Sequence, residues 1–134
     1  MEEKVWLRRY DPGVPDHIPY PDQSVHQFLT HSAQRFGDRV CAYYNDKAFT
    51  YQQIDWLSTQ LAKAILSLGV KEGEPVGILL ANSPQFIISF YGILKAGGVV
   101  VAMNPAYQHR ELSFQVSDSG VRVLVCAEDS LPLI

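Results

Sequence analysis

The stretch Gly73-Glu74-Pro75-Val76-Gly77-Ile78-Leu79-Leu80-Ala81-Asn82-Ser83-Pro84-Gln85-Phe86 holds the change of pattern that decides the fold. Val76 to Leu80 is a short continuous apolar run, with no polar residue at either parity. A strand apolar on both faces is a strand covered on both sides. Ser83 and Pro84 then announce a helix: serine caps, and proline suits the first helical position, where its missing N–H would have had no partner. That helix extends to Ala96 and is broken by Gly97-Gly98. Its Phe86, Ile87, Ile88, Phe90, Tyr91, Ile93 and Leu94 leave little polar face, which predicts burial against more protein than this chain easily supplies. Val99 to Met103 is a second apolar run, His109 to Ser119 a weaker helix closed by Gly120, and Val121 to Cys126 a third strand. Strand, helix, strand, helix, strand, with apolar strands, predicts a parallel sheet flanked by helices.

Upstream the punctuation is different. Residues 1–23 contain Pro12, Pro15, Pro19 and Pro21. Proline lacks the helical donor and pushes its predecessor towards extended geometry, so this segment reads as an extended N-terminal arm with Trp6, Tyr10 and Tyr20 as apolar handles, laid over a surface or held by later parts of a protein. A first helix is expected from Val25 to Phe36, with Ser24 and Gln27 as capping box, an apolar stripe of Val25, Phe28, Leu29, Ala33 and Phe36, and Gly37 ending it in the left-handed region. Residues 39–44 and 47–50 are β-rich and are joined by Asn45-Asp46, which predicts a hairpin. Thr50 and Gln53 repeat the capping box before a second helix that runs to Gly69, with Ile54, Leu57, Leu61, Ala64, Ile65 and Leu68 as its buried stripe. The expected fold class is therefore α/β: a partial three-layer fold with a parallel sheet flanked by helices, preceded by an extended arm, a helix and a hairpin. Residues 24–134 read as an incomplete subdomain, because the apolar end Leu131-Pro132-Leu133-Ile134 follows directly on the third strand.

Composition narrows the function classes. The chain has 134 residues, 47% of them hydrophobic and 19% charged, with a formal net charge of −3, which is the profile of a globular domain. No basic stripe is present beyond the pair Arg8-Arg9, so a nucleic-acid partner is not expected. The start, Met1-Glu2-Glu3-Lys4, has two acids and no apolar segment, unlike a secretory signal. Phe86 to Met103 is interrupted by Lys95 and by Gly97-Gly98, so no transmembrane segment is expected, and the reading is a cytoplasmic protein. Cys41 and Cys126 are far apart, match no metal or redox spacing and sit among apolar residues, which predicts buried free thiols in a reducing compartment.

Motifs that carry catalysis are missing. The chain has no phosphate-binding G-x-x-x-x-G-K-[ST], no G-x-G-x-x-G, no G-x-S-x-G and no H-E-x-x-H. His26 and His31 share a helix but project about 140° apart, too far for one ion. Asp38, Asp46, Asp55, Glu72, Glu74, Glu111 and Asp118 fall at turns, helix ends or polar faces, where solvated or capping roles are expected. No catalytic and no metal-binding residue is assigned. Ligands of open parallel sheets bind outside the carboxyl ends of the strands. Here those ends are Ala81-Asn82-Ser83 and Met103-Asn104-Pro105-Ala106-Tyr107, which makes Asn82, Asn104 and Tyr107 the candidate substrate-binding residues; turn formation is the alternative for each.

The same stretches carry a family resemblance. Phe49-Thr50-Tyr51-Gln52-Gln53-Ile54 resembles the x-T-Y-x-E-L opening of a long helix in the AMP-forming acyl-CoA synthetases, the adenylate-forming superfamily, with Gln53 in place of the usual Glu. Gly73 to Phe86 resembles its G-D-x-V-x-x-x-x-x-N-x-x-x-F segment, and Gly92 to Pro105, followed by Tyr107 and Glu111-Leu112, resembles its G-x-L-K-A-G-A-x-x-x-P-x-N-P segment. Tyr10-Asp11-Pro12-Gly13-Val14-Pro15 resembles the start of long-chain fatty-acid–CoA ligases. The resemblance covers nearly the whole chain. It implies an N-terminal fragment of an enzyme that joins a fatty acid or other carboxylate to ATP, with Mg²⁺ present, and passes the acyl group to coenzyme A. It also implies that the Ser/Thr/Gly-rich phosphate loop, its lysine and the acidic motifs lie beyond this segment, so the fragment alone is expected to be inactive, to hold no cofactor and to self-associate. A freestanding α/β binding or interaction module without catalysis is the alternative.

Overall fold

A computed structural model describes residues 4–133; the readings made on Met1–Glu3 and on Ile134 lie outside the described residues. The elements are α1 (Val25–Phe36), β1 (Val40–Tyr44), β2 (Lys47–Thr50), α2 (Tyr51–Ser67), β3 (Pro75–Leu79), α3 (Pro84–Lys95), β4 (Val99–Ala102), α4 (His109–Ser119) and β5 (Val123–Cys126), with 3₁₀ segments at Val5–Arg9 and Glu128–Leu133. Strands β1 and β2 pair antiparallel, and Asn45 and Asp46 between them both have positive φ, 46° and 61°, the backbone that a tight two-residue hairpin demands. Strands β4, β3 and β5 form a parallel sheet in that spatial order, so the α/β class and the flanked parallel sheet are as the sequence predicts.

The central strand explains the layering through its parity. Val76 and Ile78, both fully buried, face α2 and α3 and pack with Ala62, Ile65, Ile93 and Ala96. Leu79 faces the other way, onto a smaller cluster of Met103, Leu112 and Val121 under α4. Gly77 shares that second face: a Cβ there would stand 2.5 Å from Leu124 Cδ1, so the covering side chains occupy the space a larger residue would need. The two-sided apolar run of β3 is thus the signature of a strand between two helical layers.

Five local expectations need correction. Gly37 is right-handed, with φ −47° and ψ −46°; its carbonyl accepts the Gln52 N–H at 3.1 Å, which ties the end of α1 to the start of α2, and a Cβ on it would meet the Ala33 carbonyl at 2.8 Å. The buried stripe of α2 is Ile54, Ser58, Ala62 and Ile65, whereas Ala64 is exposed and Leu68 is 67% exposed. The stripe turns towards small residues because α3 crosses there at Gly92, where even a Cβ would lie 3.1 Å from the Ser58 carbonyl. On α1 only Leu29 is buried, and Val25 and Phe28 remain exposed. The arm is not extended throughout, since it contains the 3₁₀ segment; its Trp6, Tyr10, Ile18 and Tyr20 are exposed, so of the two expected placements the described residues do not supply the first. Cys41 and Cys126 are free, as expected, but half-buried rather than buried. Desolvation pushes the Cys41 thiol above its usual range, which keeps it protonated. No helix of the described residues is long and apolar enough to cross a membrane.

Candidate functional site at the strand ends

The two crossovers of the sheet diverge. From β3 the chain leaves into α3, on the face of Val76 and Ile78; from β4 it leaves into α4, on the face of Leu79. Strands β3 and β4 are neighbours, with Ile78 opposite Ala102. Adjacent parallel strands whose following helices depart to opposite faces mark a topological switch point, and the crevice beyond their carboxyl ends is where such sheets take ligands. Asn82 follows β3 into this crevice region, and Asn104 and Tyr107 follow β4, so the fold places the three sequence candidates on one rim.

Their environments differ. The Asn104 Oδ1 accepts the Ala106 N–H at 2.9 Å, and its carbonyl accepts the Tyr107 N–H at 3.0 Å. This is a side-chain-closed turn, which commits the Asn104 amide oxygen to loop shape. Asn82 is exposed, one residue before the cap of α3, where the Ser83 Oγ accepts the Phe86 N–H at 3.3 Å. Tyr107 is 37% exposed and opens a shallow groove of about 530 Å³ with Arg110, Glu111, Phe114 and Gln115 along α4. A second groove, about 560 Å³, crosses the ends of β3 and β5 and is walled by Leu80, Ser83, Ile88, Val125 and Cys126. Among the described residues no three His, Cys, Asp or Glu side chains come together as metal ligands.

A polar cluster that the sequence reading missed lies between the helices. The Lys95 ammonium donates to the Asp55 carboxylate Oδ1 at 2.7 Å, to the Asp55 carbonyl at 2.9 Å and to Thr59 Oγ1 at 2.9 Å. Three donors thereby find three acceptors. Thr30 Oγ1 of α1 donates to the same Asp55 oxygen at 3.1 Å. Asp55 is therefore no solvated surface acid: its side chain is 25% exposed and that of Lys95 only 11%. One ion pair joins α1, α2 and α3. Its only trace in the sequence is a lone lysine in an otherwise apolar helix; a partner 40 residues away on another helix leaves no local spacing to find.

The fold is that of an open parallel α/β protein with a switch-point crevice at its strand ends. The family model described as "AMP-binding enzyme" matches residues 29–133, and the chain belongs to that family. It is 35% identical over 132 residues to a long-chain-fatty-acid–CoA ligase of Bacillus subtilis, covering 98% of this chain and 24% of that protein. It is also 34% identical over 125 residues to a long-chain-fatty-acid–CoA ligase of Salmonella typhimurium, covering 92% of this chain and 22% of that one. The inhibitor-bound crystal structure of the N-terminal domain of FACL13 from Mycobacterium tuberculosis superposes with a TM-score of 0.74 at 33% identity, covering 81% of this chain and 28% of that one. The chain thus spans about a quarter of the length of the ligases it matches, and under a third of an N-terminal domain solved by itself.

Proposed function

We propose that this chain is the N-terminal portion of a fatty-acid–CoA ligase and supplies scaffold and one rim of its site, without catalysis of its own. The observation that carries the reading is the near-complete coverage, 98% of the chain, by a long-chain-fatty-acid–CoA ligase at 35% identity. In the whole enzyme a fatty-acid carboxylate oxygen attacks the α-phosphorus of ATP and pyrophosphate leaves; the coenzyme A sulfur then attacks the acyl carbon and AMP leaves. Mg²⁺ would offset the charge developing on the phosphates, held by groups outside this segment. Within the segment, the exposed Asn82 amide, the Asn104 Nδ2 and the Tyr107 hydroxyl can donate to a ligand from this rim, while the Asn104 Oδ1 shapes the turn that presents Tyr107. Residues 24–134 form part of the N-terminal subdomain and residues 1–23 its arm, in a cytoplasmic protein. Alone, the segment binds no cofactor and self-associates.

A chimera tests this. Residues 1–134 replace the matching segment of the Bacillus subtilis ligase, and palmitoyl-CoA formation is followed. Retained activity, lowered at least about ten-fold by Asn82→Ala if its amide donates to ligand, is the expected result. A chimera that folds like the parent but forms no acyl-CoA overturns the reading.

A further inference from the structure

The loop from β4 to α4, which carries Asn104 and Tyr107, is held at both ends. At the strand end the Met103 N–H donates to the Ile78 carbonyl of β3 at 2.9 Å. At the helix end the Gln108 N–H donates to the Glu111 carboxylate Oε2 at 3.1 Å. One bond spans the whole loop. The Gln115 Nε2, from the middle of α4, donates to the carbonyl of Ala102, 13 residues earlier, at 3.2 Å. It ties the last residue of β4 to the helix that follows, and Gln115 lines the same groove that Tyr107 opens.

Stability does not account for an amide at this position. Gln115 Oε1 is buried and has no hydrogen-bond partner among the described residues. Leaving a buried acceptor unpaired costs at least as much as a typical hydrogen bond returns. Ala102 is exposed, so water can take over its carbonyl when the amide is removed. Methionine, unbranched and of similar length, would cover the same surface with no unpaired oxygen. What methionine lacks is the donor to Ala102.

We infer that Gln115 is a positioning residue for Tyr107, on the functional reading given above, in which the Tyr107 hydroxyl donates to a ligand of the ligase. Gln115 sets where that hydroxyl stands and does not touch the ligand. The means is a single peptide plane. The Ala102 carbonyl and the Met103 N–H belong to one planar trans unit, and they point in opposite directions. Ile78 holds the N–H from the β3 side, and Gln115 holds the carbonyl from the other. Held on both sides, the plane cannot turn, and the direction in which Met103 and Asn104 leave the strand is fixed. Without the amide only the Ile78 bond remains. The Asn104 turn then swings as a unit, with its bonds to Ala106 and Tyr107 intact, and carries the Tyr107 hydroxyl with it. A displacement of about 1 Å is enough to weaken a contact that depends on orientation.

Gln115→Met, Tyr107→Phe and the double variant, made in the chimera with the Bacillus subtilis ligase, test this. KM is measured in turn for palmitate, ATP and coenzyme A. Tyr107→Phe should raise KM for one of the three. Gln115→Met should raise KM for that same substrate at least about five-fold with little change in kcat, and the double variant should fall short of the product of the two effects. In the 134-residue chain, Gln115→Met should leave the urea midpoint unchanged or higher, yet speed exchange of the Met103 amide at least about five-fold. Unaltered kinetics, a raised KM for a different substrate, multiplicative effects or a lowered urea midpoint each overturn the inference, and the last would make Gln115 a structural residue only. A chimera inactive before any substitution counts against the functional reading instead; the Met103 amide then decides, and an unchanged exchange rate overturns the role of Gln115.

Discussion

The two faces of the β3 strand are covered differently. On one, α2 and α3 pack closely over Val76 and Ile78, with small residues at their crossing and the Lys95–Asp55 pair beside it. On the other, α4 alone covers Leu79, and its Phe114 stays 71% exposed. The first face is a finished core. The second is a thin layer, and both the candidate rim at Tyr107 and the open β4 edge border it. Close packing therefore concentrates on one side of the sheet.

Substitutions should separate the faces by size of effect. Ile78→Ala, which empties a fully buried position under two helices, should lower stability by about 3 kcal/mol in urea unfolding. A loss below ~1 kcal/mol would mean that the first face is no better packed than the second. Lys95→Met leaves the Asp55 carboxylate without its cation between three helices. A fully buried pair broken this way loses ~3–5 kcal/mol, and an exposed one under ~1. With Asp55 a quarter exposed, about 2 kcal/mol is expected, and Asp55→Asn in the same chain should recover part of it, which a double-mutant cycle measures. Additive losses would show that the pair does not couple the helices. Phe114→Ser, on the thin side, should change stability by no more than ~0.5 kcal/mol. A larger loss would make α4 part of the core rather than a cover.

How much of this was legible in the sequence follows the same division. The β3–α3–β4–α4–β5 order was legible because each boundary has local chemistry: Ser83-Pro84 at one helix start, Gly97-Gly98 and Gly120 at the ends. The capping boxes at Ser24 and Thr50 were legible for the same reason, since cap and acceptor lie three residues apart. What failed was set by neighbours distant in sequence. Periodicity placed Leu68 and Ala64 on the buried stripe of α2, but the approach of Gly92 turned the helix to bury Ser58 and Ala62. Glycine after α1 suggested a left-handed stop, but the Gln52 amide holds Gly37 in a right-handed turn. Asp55 looked solvated because its cation is on another helix. At the site, strand-end logic brought Asn82, Asn104 and Tyr107 to one rim, but no local signal distinguished Asn104, whose amide closes a turn, from the exposed Asn82.

The central claim is that this segment carries fold and rim but not the groups that activate a carboxylate. ATP–pyrophosphate exchange by the purified 134-residue chain, with palmitate and Mg²⁺ supplied, tests it most directly. No exchange above the protein-free control is expected. Palmitate-dependent exchange by the chain alone would contradict it.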